Sequence, residues 1–253
     1  MLLSIVIVSY HSTHIIQTLD NIHKECGLPT SQYEIIVVDN GSSPHLQEYT
    51  KLHSLLYIKN AKNIGFGAAM NKGIQKTTGD YVALINPDIL VSKQTLPALL
   101  GYIKEKTEIG IVGPKLLTKE LKLQYSCKRF PDLFTLLFRR LPGTPYIPFF
   151  RKKIERYDMY DYDHKTPLHV DWLSGAFLLA RREIFTEYPF DESFFLYFDD
   201  VDLCKRIGAK YKIIYYPYAV AIHYAAHASK KNCKPFFYHL HSMIKYFQKY
   251  GIS

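Results

Sequence analysis

Long apolar runs are scarce in this 253-residue sequence, and no membrane-spanning helix is expected from it. The longest runs, LLSIVIV at 2–8 and GAFLLA at 175–180, fall far short of the roughly 18 residues needed to cross a bilayer. No basic residue precedes the first run and no small-residue cleavage pattern follows it, so we expect no secretory signal. Hydrophobic residues still make up 47% of the chain, which is enough to fill a core and excludes a disordered tail protein.

Paired cysteines are also absent. The four cysteines lie apart in the sequence with no C-x-x-C spacing, at Cys26, Cys127, Cys204 and Cys233. Their arrangement excludes a zinc ribbon and indicates reduced thiols rather than a disulfide framework. We therefore expect a cytoplasmic protein.

Acidic residues are missing from the last fifth of the chain. Residues 203–253 contain nine Lys and Arg and no Asp or Glu, within a formal net charge of +9 for the whole chain. A second stretch, 122–156, has nine basic residues against Asp132 and Glu155. Both stretches are rich in Tyr and Phe. Such surfaces suit nucleic acid, an anionic membrane face or a phosphate-bearing substrate, and composition does not choose among them.

The first 115 residues alternate short apolar runs with amphipathic segments, as βαβ units do. The first, second and fourth apolar runs are apolar almost throughout, which is typical of strands covered on both faces. The sequence thus predicts an α/β fold with a Rossmann-like, mainly parallel sheet flanked by helices. The predicted strands are 2–8, 34–38, 55–58, 81–85 and 109–112, and the predicted helices are 13–25, 44–53, 66–77 and 94–105.

The remainder of the chain is less regular. Residues 124–168 hold five prolines and indicate a long, partly helical excursion. After it we predict, in order, a strand over Val170–Ala180, a short helix over Arg181–Glu187, a helix from near Asp199, a loop holding His223 and His227, and a final helix at about 235–250.

Polar residues follow three of the predicted parallel strands. They are Ser9-Tyr10, Asp39-Asn40-Gly41-Ser42 and Asn86-Pro87-Asp88. Ligands of open parallel sheets bind at the carboxyl ends of the strands, so these residues are candidates for one site. The alternative is turn chemistry, because both longer segments are ordinary turn formers. Their coincidence on one edge favours the site.

A glycine pair opens the predicted helix at 66–77. Gly65 and Gly67 would allow close approach of a phosphate or base, and Asp88 lies about where a dinucleotide fold places its ribose-binding acid. The third position of the fingerprint is Met70 where Gly or Ala is wanted. A dinucleotide-binding oxidoreductase therefore stays open as a weak alternative.

Three further features carry chemistry or packing. The acidic group Asp199-Asp200-x-Asp202 begins a helix, where acids favour the helix dipole, but its apolar surroundings also suit a general base. His223 and His227 have the i, i+4 spacing of metal ligands, or are packing residues. Trp172, the only tryptophan, is a core residue by default and also suits stacking on a sugar ring.

The ordered set of motifs resembles a known family. SIVIVSYHS, IIVVDNGS, NIGFGAAMNKGI, LINPDIL, WLSGAFLLARREIF, FDESFFLYFDDVDLCKR and a late His223…Ser229 together resemble the rhamnosyltransferase-like branch of the family 2 inverting glycosyltransferases, which have a GT-A fold. The match runs from Leu3 to about Ser229. It implies one domain over 1–253, with a nucleotide-sugar half at 1–115, an acceptor-binding and catalytic half at 116–229, and a basic, aromatic C-terminal helix at 230–253.

The resemblance also implies roles for particular residues. Asp200 is implied as the catalytic base with Asp199 as the second choice, and a divalent ion, Mg²⁺ or Mn²⁺, is implied on Asp88 with His223 nearby. The implied acceptor-binding residues are Trp172, Ser174 and Gly175. The implied donor-binding residues are Ser9, Tyr10, Asp39, Asn40, Asn63, Gly65, Gly67, Asn71, Asn86 and Asp88.

Two positions depart from the family pattern. The family's Asp-x-Asp is Asn86-Pro87-Asp88 here, which removes one carboxylate and bears on how tightly a metal is needed, and the usual Glu-Asp pair is Asp199-Asp200. The expected partners are a nucleotide-diphosphate sugar, dTDP-rhamnose or a UDP-hexose, and a glycan or lipid-linked glycan acceptor of bacterial surface polysaccharide synthesis. We expect no nucleic-acid partner. A non-catalytic nucleotide-sugar or glycan-binding domain is a further alternative.

A membrane surface is the last candidate partner. Leu133–Arg140 reads LFTLLFRR, an apolar stretch directly before paired arginines, and the C-terminus is free of acids. Each basic residue near an anionic surface contributes about 1 kcal/mol, so peripheral binding at the inner face of the cell membrane is expected on these terms. The alternative is a soluble enzyme whose Lys and Arg attract phosphates.

Overall fold

A computed structural model describes residues 1–41, 43–140, 147–224 and 233–252. Over these residues the chain forms a ten-stranded mixed sheet with helices on both faces and a separate two-stranded sheet. The strands are β1 Leu3–Ser9, β2 Tyr33–Asp39, β3 Leu56–Lys59, β4 Tyr81–Ile85, β5 Ile89–Val91, β6 Ile109–Leu117, β7 Leu123–Gln124, β8 Cys127–Lys128, β9 Leu168–His169, β10 Trp172–Leu173, β11 Phe177–Arg181 and β12 Lys212–His223. The helices are α1 Ile15–Glu25, α2 Pro44–Leu52, α3 Phe66–Ile74, α4 Thr95–Ile103, α5 Leu133–Arg140, α6 Pro148–Tyr157, α7 Arg182–Glu187, α8 Asp199–Gly208 and α9 Cys233–Tyr250.

The amino-terminal half of the sheet is parallel, in the order β3-β2-β1-β4. All seven residues of β1 are buried, because helices cover both faces of the sheet. Val6 and Val8 of this strand belong to the core on one face, and Ile5 and Ile7 belong to the core on the other. The five strands and four helices predicted for this half are confirmed, with ends that differ by a few residues.

The predicted strand over Val170–Ala180 is wrong as a single element. The chain forms β10, turns at Ser174–Ala176, and continues as β11 in the other sheet. The Ser174 N–H donates to the Ser126 carbonyl at 2.8 Å, and the Ala176 carbonyl accepts the Asn86 N–H at 2.9 Å. A continuous apolar run conceals this turn, because both strands are buried and only Ser-Gly breaks the pattern.

The predicted loop around His223 is also wrong, because His223 is the last residue of the twelve-residue strand β12. This strand pairs parallel with β6. The register of the pairing shifts between Tyr216 and Val220, an interval that contains Pro217. A proline removes a ladder hydrogen bond, so it sits at such an irregularity. The short strand β5, which pairs with the end of β12, is missed by the sequence analysis.

The predicted excursion at 124–168 is confirmed as partly helical, with β7, β8, α5 and α6. Tyr246 of α9 lies 5.4 Å, ring centroid to ring centroid, from Phe198 directly before α8, and Phe247 is buried in the same core. No helix in the described part of the chain is both long and apolar enough to cross a bilayer.

Candidate active site

The residues that follow β1 differ in exposure. Ser9 is buried and its carbonyl accepts the Asn40 N–H at 2.7 Å. Tyr10 is exposed, and its ring centroid lies 4.5 Å from that of His11, whose backbone is left-handed at φ 50°. An exposed aromatic ring at the carboxyl end of a strand can stack on a nucleobase. His11 is missing from the predicted site, although it lies beside Tyr10 in the same motif.

Asp39 shapes the loop that follows β2. Its Oδ1 accepts the Gly41 N–H at 2.8 Å, and its Oδ2 accepts the Ser43 N–H at 2.7 Å and the Tyr57 hydroxyl at 2.6 Å. The hydrogen bonds of this buried carboxylate therefore hold the conformation of the loop without the help of a ligand. Its role toward the base and ribose stays a prediction, and Ser42 lies outside the described residues.

Asn40 links that loop to the segment before α3. Its amide nitrogen donates to Asn63 Oδ1 and to the Gly65 carbonyl, both at 3.0 Å. Its amide oxygen accepts from Asn60 Nδ2 at 2.9 Å and from the Ile64 N–H at 3.3 Å. Asn40 and Asn63 thus hold two loops together at the sheet edge, and contact with a donor stays a prediction for both.

The glycines and asparagine of α3 make room for another part of the chain. Gly65 has φ 92°, and a Cβ there would lie 2.7 Å from the Phe195 carbonyl oxygen, while a Cβ on Gly67 would lie 3.0 Å from the Phe190 Cβ. Asn71 accepts the Phe190 N–H and donates to its carbonyl, each at 2.9 Å. The close approach that a dinucleotide fingerprint would explain is thus made by residues 190–195. Donor binding by these three residues stays a prediction.

Asp88 and His223 face each other across the ends of β4 and β12. Asp88 Oδ1 lies 3.2 Å from His223 Nε2, and His223 Nδ1 lies 3.0 Å from Gln124 Oε1. A proton on Nδ1 donates to that amide oxygen, which leaves the Nε2 lone pair directed at the carboxylate. Two electron-rich atoms this close are stabilised by a cation between them or by a second proton on the ring.

The same atoms fit a divalent cation. Asp88 Oδ1 and Asn86 Oδ1 are both buried without a hydrogen-bond partner among the described residues. The separation of Oδ1 and Nε2 is close to the ~3 Å expected between adjacent ligands of an octahedral ion with bonds of about 2.1 Å. Carboxylate oxygen with imidazole nitrogen is a donor set that Mn²⁺ accepts. No group of three His, Cys, Asp or Glu converges in the described ranges, so further ligands would come from a substrate diphosphate or water.

The acidic pair stands at the start of α8 after a strained stretch of backbone. Tyr197 and Phe198 are both left-handed, with φ 67° and 63°, which is uncommon for bulky residues and typical of functional sites. Asp200 Oδ2 accepts the Gly175 N–H and Oδ1 accepts the Val201 N–H, both at 2.9 Å. The strained turn therefore aims Asp200 at the turn between β10 and β11.

The two carboxyls of this pair hold protons more tightly than ordinary aspartates. Burial, and next the neighbouring Asp200, raise the pKa of Asp199 well above its usual range. Burial also raises the pKa of Asp200, opposed by the N–H groups of Gly175 and Val201. Asp200 has lone pairs left to accept a proton, because each oxygen receives one hydrogen bond. Asp199 is the more deeply buried, and its Oδ2 has no partner in the described chain.

The predicted acceptor residues meet at the same turn. A Cβ on Gly175 would lie 3.2 Å from the Asp200 Cβ, so a side chain there would press on the carboxylate. Trp172 is buried and donates from Nε1 to the Arg129 carbonyl at 2.9 Å. The structure thus brings Trp172, Ser174 and Gly175 to Asp200, and their contact with an acceptor stays a prediction.

A cavity of about 400 Å³ opens beside Asp200. Trp172, Ser174 and Gln124 line it with Asp200, and Gln124 also holds His223. The metal-competent pair and the candidate base are therefore connected through one side chain.

Two cations in this cavity are missed by the sequence analysis. Lys128 and Arg139 both contact the carboxylate of Asp158, Arg139 at 3.4 Å, and all three side chains line the cavity. Burial, and next the charge of Arg139, lower the pKa of Lys128. The basic stretch 122–156 was the only signal, because pairing with Asp158 depends on the path of the chain through α5 and α6.

Two members of the predicted motifs play other parts or are not described. Asp202 is fully buried and accepts from Arg206 Nε at 2.8 Å and from Lys249 Nζ and the Tyr250 hydroxyl at 2.7 Å, so it fastens α9 to α8. His227 and Ser229 lie outside the described residues.

A mixed sheet between helices, with a carboxylate–imidazole pair at its strand ends and a half-buried aspartate beside a cavity, is the arrangement expected of a glycosyltransferase of the GT-A fold. The family model described as "Glycosyl transferase family 2" matches residues 4–188, and the chain belongs to that family. Membership decides against the dinucleotide-binding oxidoreductase.

Curated relatives agree with this family. The chain is 29% identical over 255 residues to the rhamnosyltransferase WbbL of Escherichia coli (strain K12), covering 96% of this chain and 91% of that protein. It is 28% identical over 221 residues to the N-acetylglucosaminyl-diphospho-decaprenol L-rhamnosyltransferase of Mycobacterium tuberculosis, covering 78% of this chain and 68% of that protein.

Solved structures show the same fold. GalNAc-T7, crystallised with UDP, GalNAc and Mn²⁺, matches with a TM-score of 0.67 and 20% identity over 88% of this chain and 43% of that one. The mannosyltransferase PcManGT from Pyrobaculum calidifontis, in complex with GDP-Man and Mn²⁺, matches with a TM-score of 0.63 and 17% identity over 97% of this chain and 64% of that one.

Proposed function

We propose that this glycosyltransferase moves a hexose, with rhamnose as the first candidate, from a nucleotide-diphosphate donor to a glycan or lipid-linked glycan acceptor, with inversion at the anomeric carbon. The single observation that carries the proposal is that Asp200 lines a cavity also lined by Gln124, whose side chain holds His223 against Asp88. The names of both rhamnosyltransferase relatives support the sugar, and the name of the Mycobacterium tuberculosis relative supports the lipid-linked acceptor. Synthesis of a bacterial surface polysaccharide is the process we propose for it.

The donor would lie along the carboxyl ends of β1, β2 and β4, in the half at 1–115. Tyr10 supplies an exposed ring for the base, and the loops held by Asp39 and Asn40 form the rim. dTDP-rhamnose and UDP-hexoses are the donors to be tested first.

Asp88 and His223 would hold a divalent ion, for which Mn²⁺ in the two structural neighbours is the precedent. When bound, such an ion offsets the negative charge that develops on the leaving diphosphate. Asn86 would turn its unpartnered oxygen toward the same region.

Asp200 would act as the general base in the half at 116–229. The acceptor hydroxyl transfers its proton to the carboxylate, and its oxygen bonds to the anomeric carbon from the face opposite the diphosphate. The bond from that carbon to the diphosphate breaks, and its electron pair leaves with the diphosphate. Burial raises the pKa of Asp200, which makes it a stronger base than an exposed carboxylate. A positioned general base accelerates a reaction by roughly 10²–10⁴-fold.

The experiment is a transfer assay that crosses dTDP-rhamnose and UDP-, dTDP- and GDP-hexoses with acceptors carrying a sugar on a short lipid diphosphate or on a neutral aglycone. We expect one donor to give a product. NMR of that product should show that the new linkage has the anomeric configuration opposite to that of the donor. The alternative is a non-catalytic nucleotide-sugar-binding domain. It would be identified if donors bind in a thermal-shift panel, no acceptor is turned over, and the Asp200→Asn variant binds the donors as the wild type does.

A further inference from the structure

Helices α5 and α6 expose an unusual amount of aromatic surface. Four phenylalanine rings run in contact across the two helices, with centroid distances of 6.4 Å for Phe134–Phe138, 3.9 Å for Phe138–Phe150 and 5.5 Å for Phe150–Phe149. We call these four residues the aromatic ridge. Its two ends, Phe134 and Phe149, are 54% and 64% exposed.

The ridge is not the ordinary outer face of a surface helix. In α5, Thr135 and Leu136 are buried against the protein, while Phe134 and Leu137 point away from it and are exposed. A surface helix normally has a polar outer face, so apolar residues on both faces indicate an unfilled contact. Ile147, directly before α6, extends the exposed apolar area.

The charge around the ridge is positive. The two helices carry six Lys and Arg against Glu155 alone. Arg151, Lys152 and Lys153 are exposed, and Lys153 Nζ lies 5.4 Å from the centre of the Phe149 ring. An apolar surface within a basic rim is complementary to an anionic lipid headgroup layer. Two copies joined through this surface would bring like charges together, which disfavours a symmetric dimer.

The ridge also adjoins the cavity of the candidate base. Arg139, next in sequence to Phe138, lines the cavity that Asp200 lines, and Asp158, directly after α6, lines it as well. A surface bound to the ridge would therefore lie beside the mouth of the acceptor cavity.

We propose that the aromatic ridge and the basic residues of α5 and α6 dock the protein on an anionic phospholipid bilayer. The acceptor then belongs to the class of sugars carried on a lipid anchor, whose head enters the cavity while the anchor stays in the bilayer. The statement about the acceptor rests on the proposed function, whereas the docking does not.

Co-sedimentation with vesicles tests the docking without donor or acceptor. We expect the full chain to bind vesicles of phosphatidylcholine with phosphatidylglycerol, to bind phosphatidylcholine alone much more weakly, and to be released by high salt. Phe134→Ser with Phe149→Ser should lower the partition at least about tenfold, because two phenyl rings no longer enter the lipid. Lys152→Glu with Lys153→Glu should lower binding to the anionic vesicles selectively.

Matched controls distinguish binding through the aromatic ridge from non-specific hydrophobic adsorption to the vesicles. Leu52→Ser with Tyr218→Ser removes two side chains that are 76% and 61% exposed elsewhere on the protein, and should leave binding unchanged. Thermal unfolding shows whether each variant folds. Tryptophan fluorescence of a Phe149→Trp variant is a second measurement of docking. Brominated lipids should quench the new indole, whereas the only native tryptophan, Trp172, is buried.

Absence of vesicle binding at low salt would overturn the docking proposal, and so would binding that the ridge variants retain. A dimer in solution that the ridge variants dissociate, without vesicle binding, would identify a second copy as the occupant. Transfer to soluble acceptors can succeed or fail independently of all three results, so the docking and the proposed function are judged separately.

Discussion

Asp199 and Asp200 are adjacent in sequence and differ in environment. Only Asp200 reaches the cavity and the Gly175 N–H, while Asp199 is buried, and burial with the neighbouring Asp200 raises its pKa well above the usual range, which favours its protonated form. The pair thus resembles other sites in which the environment gives two neighbouring carboxyls different chemical roles.

Asp200→Asn should lower kcat by about 10²–10⁴-fold and leave donor binding nearly intact, because the amide keeps the shape and cannot accept the proton. Asp199→Asn should keep most of the activity, since an amide resembles the protonated acid. Steady-state kinetics with nucleotide titrations of both variants check this. Wild-type kcat in Asp200→Asn would contradict the base assignment.

Lys128 bears on the same carboxylate through its charge. Burial raises the pKa of Asp200 and Lys128 lowers it, so Lys128→Met should raise that pKa further. The base acts when deprotonated, and the acidic limb of the kcat profile should therefore move to higher pH. Lys128→Arg should restore the limb, and Lys153→Met, an exposed change on α6, should not move it. An unmoved limb in a folded Lys128→Met variant would refute the effect.

Asp88 and His223 can be tested through metal binding alone. Changes outside a metal's ligand shell already cost about 10–100-fold in affinity, so Asp88→Asn should weaken Mn²⁺ binding in the presence of UDP by at least that much. His223→Gln should weaken it less, since it removes the neutral ligand. Electron paramagnetic resonance of free Mn²⁺ measures both, with the exposed Asp80→Asn as control. Equal Mn²⁺ affinity in all four proteins would eliminate the pair as ligands.

At the scale of elements, α9 is fastened by charge as well as by its apolar face. Lys249 Nζ contacts Asp191 Oδ2 at 2.8 Å and Asp202 Oδ1 at 2.7 Å. Burial would raise the pKa of Asp191, but the hydrogen bonds from Lys249 and Ser193 outweigh it and lower the pKa to about 2. The ionised Asp191 therefore stabilises the folded state at pH values above about 3.9, which is the pKa of an aspartate in the unfolded chain. This stabilisation is lost as the pH falls toward 2.

Lys249→Met should lower the free energy of unfolding at neutral pH by about 1–3 kcal/mol, because Asp202 stays buried with a partner removed. The difference from wild type should narrow between pH 4 and pH 2. Urea unfolding across that range measures it. Lys245→Met, which removes a lysine bound to the Ser193 carbonyl, should show no such narrowing. A constant difference would show that Asp191 is not involved.

Elements differed in how well their sequences predicted them. Strands β1, β2 and β4 were predictable because burial on both faces makes them apolar almost throughout. β12 was not, since its pairing with β6 joins residues about 100 positions apart and its aromatic residues and Pro217 resemble a loop. The pairing of Lys128 with Asp158 is likewise non-local, and no spacing rule predicts it.

At the scale of the whole molecule, the proposed donor side and the proposed acceptor side meet at the main sheet. β11 lies antiparallel between β4 and β6, so the Asn86 N–H reaches the Ala176 carbonyl beside the Gly175 that holds Asp200. The motifs supplied the candidate residues, and this antiparallel insertion, which no motif indicates, determines how those residues meet.

The excursion that carries α5 and α6 leaves and rejoins the fold at neighbouring points. Lys128 pairs with Trp172 and Cys127 with Leu173 in the two-stranded sheet, so residues 129–171 form a loop whose ends are already joined. Closing such a loop becomes costlier only with the logarithm of its length, about 0.6 kcal/mol for each doubling. Insertions or deletions between β8 and β9 should therefore cost the fold little, and they can change the surface beside the cavity while β9 keeps its pairing with β12 in the main sheet.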